Sequence, residues 1–146
     1  MKWIIPIVFV TILCGSEKLS AQNNSEFGLR LGYAVALDYV KSINDNRFRS
    51  NLGWGIDYLL WDNFYEFCYP IAETKLNIYA GIGPGLRYWL PRRTEFEGWG
   101  LAAVGQVGTE VKLQSKFTIG IDWSPFYDVI KDHFNNYGTV SIRKRF

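Results

Sequence analysis

The chain has 146 residues, a formal net charge of +2, 17% aromatic residues and 14 glycines. That length suits one domain. Positive and negative residues are interspersed, which excludes a nucleic-acid surface built on one basic face. One His among scattered carboxylates lacks metal-ligand spacing, so no metal and no other cofactor is expected.

The first segment reads as a secretory signal. Met1 and Lys2 give a positive start, and Trp3 to Leu13 is apolar. This run is too short to cross a bilayer as a helix, which takes roughly 20 residues. The small residues Ser20 and Ala21 precede Gln22, so cleavage is expected after Ala21. The division is therefore 1–21 signal peptide and 22–146 mature domain. Two alternatives compete with it: a buried N-terminal helix, and a lipoprotein signal at Cys14, although Leu13 departs from the small residue usual before a lipidated Cys. Removal of Cys14 leaves Cys68 alone, without a disulfide partner, as a small apolar packing residue.

Beyond the signal, the pattern with period two marks strands with one apolar face. Phe27, Leu29, Leu31 and Tyr33 oppose Glu26, Gly28, Arg30 and Gly32. Val35, Leu37 and Tyr39 oppose Asp38. Phe48, Leu52 and Trp54 oppose Arg47, Arg49 and Asn51. Residues 57–67 alternate least clearly, with Leu59, Trp61, Tyr65 and Phe67 opposite Asp62 and Glu66. Leu76, Ile78, Ala80, Ile82, Leu86 and Tyr88 oppose Asn77, Tyr79, Gly81, Gly83, Gly85 and Arg87. Residues 99–113 alternate throughout, with Leu101, Val107 and Val111 opposite Gln106, Glu110 and Lys112. Phe117, Ile119, Ile121 and Trp123 oppose Thr118, Gly120, Asp122 and Ser124. Val140 and Ile142 oppose Thr139, Ser141 and Arg143 in the last strand, which ends on Phe146.

Eight strands fit an antiparallel barrel, with turns at 43–46, 68–74 and 113–116 at one end. Loops at 33–35, 53–57, 89–98 and 129–136 lie at the other. Gly81-Ile-Gly-Pro-Gly85 lies within an alternating strand with no helix after it, so it is not a phosphate loop.

The apolar face points outward on two grounds. The polar face carries many glycines, which suit a crowded interior better than an open surface. The aromatics gather near strand ends: Tyr33, Trp54, Tyr88, Trp89, Trp99, Trp123 and Phe126 at one, Tyr39, Tyr65, Phe67, Tyr69, Phe117 and Phe146 at the other. Two aromatic belts around an aliphatic band are what bilayer interfaces select. The opposite sense, apolar inside, would make a soluble lipocalin-like periplasmic ligand binder.

The terminal segment Gly138-Thr-Val-Ser-Ile-Arg-Lys-Arg-Phe146 resembles the C-terminal signal of outer-membrane barrels in Val140, Ile142 and Phe146. Lys144 departs from it, and near the interface a Lys can snorkel. Residues 26–146 as a whole resemble small eight-stranded outer-membrane barrels of the OmpX and OmpA transmembrane type. Leu76-Asn-Ile-Tyr-Ala-Gly-Ile-Gly83 and Ile119-Gly-Ile-Asp-Trp-Ser-Pro125 resemble segments of uncharacterised relatives. The resemblance implies an all-β, up-and-down transmembrane barrel in a Gram-negative outer membrane, inserted by machinery that reads Phe146.

An eight-stranded barrel is just wide enough for its side chains. The polar face holds Arg30, Arg47, Arg49, Arg87, Lys112, Arg143 and Arg145 against Glu26, Asp38, Asp62, Glu66, Glu110 and Asp122. Such near-balance predicts a paired network that plugs the lumen, with Asp38 beside Arg49 across the second hairpin; a proton or small-ion path is the alternative, and a general porin is not expected. Arg92 and Arg93 are candidates to meet lipopolysaccharide phosphates. The expected role is structural or surface-interacting, in a monomer contacting outer-membrane lipids. The catalytic alternative is a lipid A acyltransferase or deacylase. It would draw on Ser124, Asp128 and His133, with His133 in the last outward loop near Asp132, although the deacylases' His-x-Ser spacing is absent.

Overall fold

The computed structural model describes residues 24–91, 96–114 and 116–146. The proposed signal peptide, Cys14, Arg92 and Arg93 lie outside them. The strands are β1 Ser25–Gly32, β2 Ala34–Ile43, β3 Asn46–Gly55, β4 Tyr58–Pro70, β5 Leu76–Trp89, β6 Gly98–Lys112, β7 Phe117–Asp128 and β8 His133–Arg145. Each pairs antiparallel with its neighbour, and β1 pairs with β8, so the sheet closes into an eight-stranded up-and-down barrel. Closure leaves no sheet edge with unpaired backbone groups.

The local chemistry explains where the strands reverse. Asn44 and Asp45 form a two-residue connection closed by the Ile43–Asn46 pair, and Asn44 takes a φ of 56°. Such tight hairpins need a left-handed residue, and Asn tolerates that conformation. Between β4 and β5, the Thr74 hydroxyl donates to the Ile71 carbonyl (2.9 Å) and accepts from the Leu76 amide (3.1 Å). Between β7 and β8, Asp128 Oδ1 accepts from the amides of Ile130 and Lys131, both at 3.1 Å. The ends bearing 44–45, 71–75, 113–114 and 116, together with the first and last strand ends, form the turn end; 33, 56–57, 90–91, 96–97 and 129–132 form the loop end.

The ladder is interrupted at two places. Between β4 and β5 the pairing skips from Asp62–Gly85 to Tyr65–Ile82, across Pro84; between β6 and β7 it skips from Val104–Phe126 to Val107–Trp123, across Pro125. Proline has no N–H to give to a ladder.

Alternation assigns the faces. Leu31, Val35, Leu52, Trp61, Ile82, Ile121, Trp123, Val140 and Ile142 are all exposed on the outer wall, while Asp38, Arg49, Asp62, Glu66, Arg87, Ser141 and Arg143 are buried inside it. This polarity, apolar out and charged in, overturns the lipocalin-like alternative, whose apolar face would line the interior.

Several expectations need correction. Trp89 and Phe126 face inward and are buried, not in an outer belt, and Tyr33 is half-buried against the same inner cluster. Strand β7 continues to Asp128 and β8 begins at His133, so Asn135 and Asn136 lie within a strand and His133 is not in a loop. Lys112 is exposed at the turn end and Arg145 half-buried there, its Nη2 donating to the Leu113 carbonyl at 2.5 Å. The buried charges are instead five arginines (30, 47, 49, 87 and 143) against seven carboxylates, Asp128 included.

Candidate functional site

The interior is the only densely polar region that the strands enclose among the described residues, and it has two halves. Toward the turn end, inward side chains from every strand converge in an ionic lattice. Arg49 reaches two residues along from its ladder position to Asp38: Nε donates to Oδ1 (2.7 Å) and Nη2 to Oδ2 (2.5 Å). This is a bidentate fork, the strongest geometry for such a pair. Arg49 Nη1 also donates to Glu66 Oε1 (3.3 Å) and to the Tyr79 hydroxyl (3.4 Å), and Tyr79 passes a bond to Asp122 Oδ2 (2.9 Å).

Arg143 joins three carboxylates: Nε donates to Glu26 (2.9 Å), Nη1 to Asp38 (3.2 Å) and Nη2 to Glu110. Arg47 bridges Glu66 and Glu110, the latter at 2.7 Å, and its guanidinium lies 4.4 Å from the Tyr79 ring centre. Arg30 donates to Asp122, to the Thr139 hydroxyl (2.8 Å) and to the Ser124 hydroxyl (2.5 Å). Asn51, with its amide turned to suit both neighbours, donates to Asp38 (2.9 Å) and accepts from Arg30. Charges buried this deeply are tolerable only when paired and hydrogen-bonded on most of their atoms. Gln106 is one exception: it is 1% exposed, and neither amide atom meets a partner among the described residues; Arg47 Nη2, Arg87 Nε and the Tyr58 hydroxyl are likewise buried without one.

Small residues make room for this lattice. A Cβ on Gly108 would sit 2.7 Å from the Tyr79 ring and 2.5 Å from the Asp122 Cβ. Glycine there lets the phenol lie across the lumen to its partners.

Toward the loop end the interior changes character. Ala34, Ala36, Tyr58, Leu60, Phe64, Trp89, Ala102, Val104 and Phe126 form one buried apolar cluster. Tyr58 packs edge-on against Trp89 (5.0 Å between centroids) and Phe126 (5.8 Å). Two polar features are set into it. Arg87 pairs with Asp62 and lies 4.5 Å from the Phe126 ring centre. Asp128 accepts from the Trp89 indole N–H at 2.7 Å. At the mouth, the His133 imidazole packs edge-on against Trp89 (5.5 Å) and tilted against Phe96 (4.9 Å).

The catalytic candidates are not brought together. The Ser124 hydroxyl is bound to Arg30 and lies 3.2 Å from Asp122, deep in the lattice. Asp128 is committed to Trp89 and to its own turn, and His133 to aromatic rings. Asp128 and His133 are partners in the backbone ladder, but Ser124 lies opposite Tyr137, four residues along β8. A hydroxyl nucleophile needs a base within hydrogen-bond reach, and no such bond joins Ser124 to His133 among the described residues. In the same residues, no group of His, Cys and carboxylates is placed to hold a metal ion.

At the C-terminus, Val140 and Ile142 point outward, about half exposed. The Phe146 amide donates to the Ser25 carbonyl (3.0 Å), tying it to β1. The Lys144 ammonium lies 5.6 Å from the Phe146 ring centre. That contact and its place at the strand end account for a cation on the apolar face.

Sequence reasoning missed the apolar half. Tyr58, Leu60 and Phe64 face inward while Leu59, Trp61 and Tyr65 face outward, so both faces of β4 are apolar there and the alternation vanishes. The available signals were the fading of that alternation in β4 and the apolar Ala102 and Val104 on the inward parity of β6.

No protein-family profile and no curated protein sequence matches the chain. Solved structures do. The N-terminal β-barrel domain of Pseudomonas aeruginosa OprF superposes with a TM-score of 0.66 at 13% identity, over 86% of this chain and 100% of that one. Neisserial surface protein A superposes with a TM-score of 0.57 at 14% identity, over 84% of this chain and 93% of that one. The chain therefore has the closed, eight-stranded antiparallel fold of small outer-membrane barrels.

Proposed function

We propose that this chain is an integral outer-membrane barrel, monomeric, with a lumen plugged by its own side chains. Its role is then structural or surface-interacting, and not that of a general porin. The observation that carries the reading is the polarity of the wall: an apolar outer face around a closed ladder, with the charges inside. A lipid-facing body must satisfy every backbone group internally, which a closed barrel does. The aromatic distribution supports the same reading, with Trp54, Trp99 and Trp123 exposed toward the loop end and Tyr39, Tyr65 and Phe67 toward the turn end. In this orientation the turn end faces the periplasm and the loop end the cell exterior.

Two features support a plugged lumen. The ionic lattice occupies the turn-end half, and the ring cluster of Tyr58, Trp89 and Phe126 crosses the loop-end half. Lipopolysaccharide is the proposed partner outside, with Arg92 and Arg93 as headgroup contacts; barrel-insertion machinery is the proposed partner during assembly, through Val140, Ile142 and Phe146.

The test is gel mobility of the protein from fractionated envelopes, boiled and unboiled. A folded barrel resists SDS until heated, so the two samples should run at different apparent masses, in the outer-membrane fraction alone. A soluble periplasmic protein with no shift would overturn the reading. Planar-bilayer recording then tests the plug: the purified barrel should show no steady open-pore current.

A further inference from the structure

At the turn end the lumen opens into a polar pocket of about 400 Å³, within the range of small-molecule sites. Its wall includes Arg47, Lys112, Glu26, Glu110, Asp45 and Cys68. The first and the two glutamates belong to the ionic lattice, which forms the inner end.

The acceptors of that inner end are spent. Glu26 accepts from the Thr118 hydroxyl (3.2 Å) and from Arg143 (2.9 Å). Glu110 Oε1 accepts from Arg47 (2.7 Å) and Asn77 (3.2 Å), and Oε2 from Arg143. Two donors are not spent. Arg47 is 4% exposed; it gives Nε to Glu66 and Nη1 to Glu110, and its Nη2 meets no partner. Lys112 follows Glu110 by two residues, on the same inward parity, and its ammonium meets no partner among the described residues. A buried donor left unmet is costly, and an oxygen supplied from the pocket relieves that cost.

The surrounding rim adds a field of the same sign. Exposed or half-exposed Lys41, Lys75, Lys112, Lys116, Lys144 and Arg145 stand there against Asp45 and Glu73. A recess ringed by one sign of charge concentrates ions of the other.

We infer that this pocket binds a small organic acid by its carboxylate, one oxygen on Arg47 Nη2 and the other on the Lys112 ammonium. A metal ion or an amine would need carboxylate oxygens that the arginines already hold. A phosphate dianion would bring a second negative charge beside Glu26 and Glu110, so a singly charged group fits better. Under the outer-membrane reading the pocket opens to the periplasm, and the acid enters from there.

Cys68 in the pocket wall is half-exposed and serves as a reporter. The barrel, folded in a non-ionic detergent, is treated with iodoacetate or with neutral iodoacetamide, and alkylation of Cys68 is followed by mass spectrometry. In both reactions the thiolate sulfur displaces iodide, so their rate ratio reads the carboxylate and not the thiol. Relative to the urea-unfolded chain, folding should raise the iodoacetate-to-iodoacetamide ratio about tenfold. Sodium propionate should abolish the rise, and sodium chloride at equal ionic strength should not. Lys112→Gln should remove most of it, Asp45→Asn should increase it, and Lys144→Gln, on the outer wall, should leave it unchanged. Independently of Cys68, propionate should raise the urea midpoint read by tryptophan fluorescence above its value in chloride.

An unchanged ratio with an unchanged midpoint overturns the site. So does a ratio lowered as much by Lys144→Gln as by Lys112→Gln, since rim charge alone then accounts for it. The two levels separate in the same preparations. A barrel with heat-shifted mobility and neither effect overturns the pocket alone. A protein that shows both effects without that shift overturns the membrane reading and keeps the pocket.

Discussion

The two halves of the lumen fill the same width by opposite chemistry. At the turn end, Arg47, Arg49 and Arg143 are threaded among Glu26, Asp38, Glu66 and Glu110; at the loop end, Tyr58, Trp89 and Phe126 meet ring against ring. Ionic filling depends on completeness, because removing one partner strands another charge away from water. Aromatic filling depends on volume, because removing a ring leaves a cavity and no orphaned charge. The two halves should therefore fail differently when cut.

The largest effect is expected from Arg49→Ala, which leaves Asp38 without its bidentate partner and should cost about 3–5 kcal/mol. The measurement is the urea midpoint for loss of the fast-migrating, unboiled band. Replacing the pair together, Asp38→Leu with Arg49→Met, should recover most of that loss, since apolar substitutes of similar volume often serve as well as a buried pair. A double variant no better than Arg49→Ala would erase the proposed contrast between the halves.

In the loop-end half, Phe126→Ala should cost about 3 kcal/mol, and no second substitution of a charge should rescue it. The same variant should raise the bilayer current if the rings form the tighter seal. A current raised by Arg49→Ala and not by Phe126→Ala would move the seal to the ionic half.

Smaller effects are expected where the halves meet the rim. A Cβ on Gly100 would collide with the Asp128 carboxylate, so Gly100→Ala should cost about 1–3 kcal/mol through displacement of that group. Asp128→Asn keeps the shape and weakens the bonds to Trp89 and the turn amides, for about 1 kcal/mol. Equal stability of Asp128→Asn and the parent would show that shape alone holds the mouth.

The wall was more legible in the sequence than the lumen. Strands β1, β5 and the first part of β7 alternate cleanly because one face meets charges and the other does not; β6 does so except at Ala102 and Val104, which face the apolar half of the lumen. Their order, turns and outward faces follow from that contrast. Trp89 and Phe126 defeated the same rule, because inside the loop-end half an apolar side chain is as well placed as outside. Lys112 and Arg145 were assigned inward by parity alone, yet at the rim a long cation reaches water from either face. Asp128 lay beyond the recognised end of its strand. Its turn is closed by its own carboxylate, a local bond that alternation does not register.

The seam between β1 and β8 differs from every other joint in the molecule. The remaining pairings join strands adjacent in the chain, and each hairpin can zip from its own turn. The seam instead pairs Glu26 with Arg145 and Gly32 with Thr139, and it is crossed inside by the bond from Arg143 to Glu26. Closing so long a loop carries an entropic cost that the local hairpins do not, and non-local pairing of this kind slows folding. A sheet of seven joints can form with both edges open, and pairing at the seam is what seals it into a cylinder. Until then its two raw edges remain available to any strand that reaches them first.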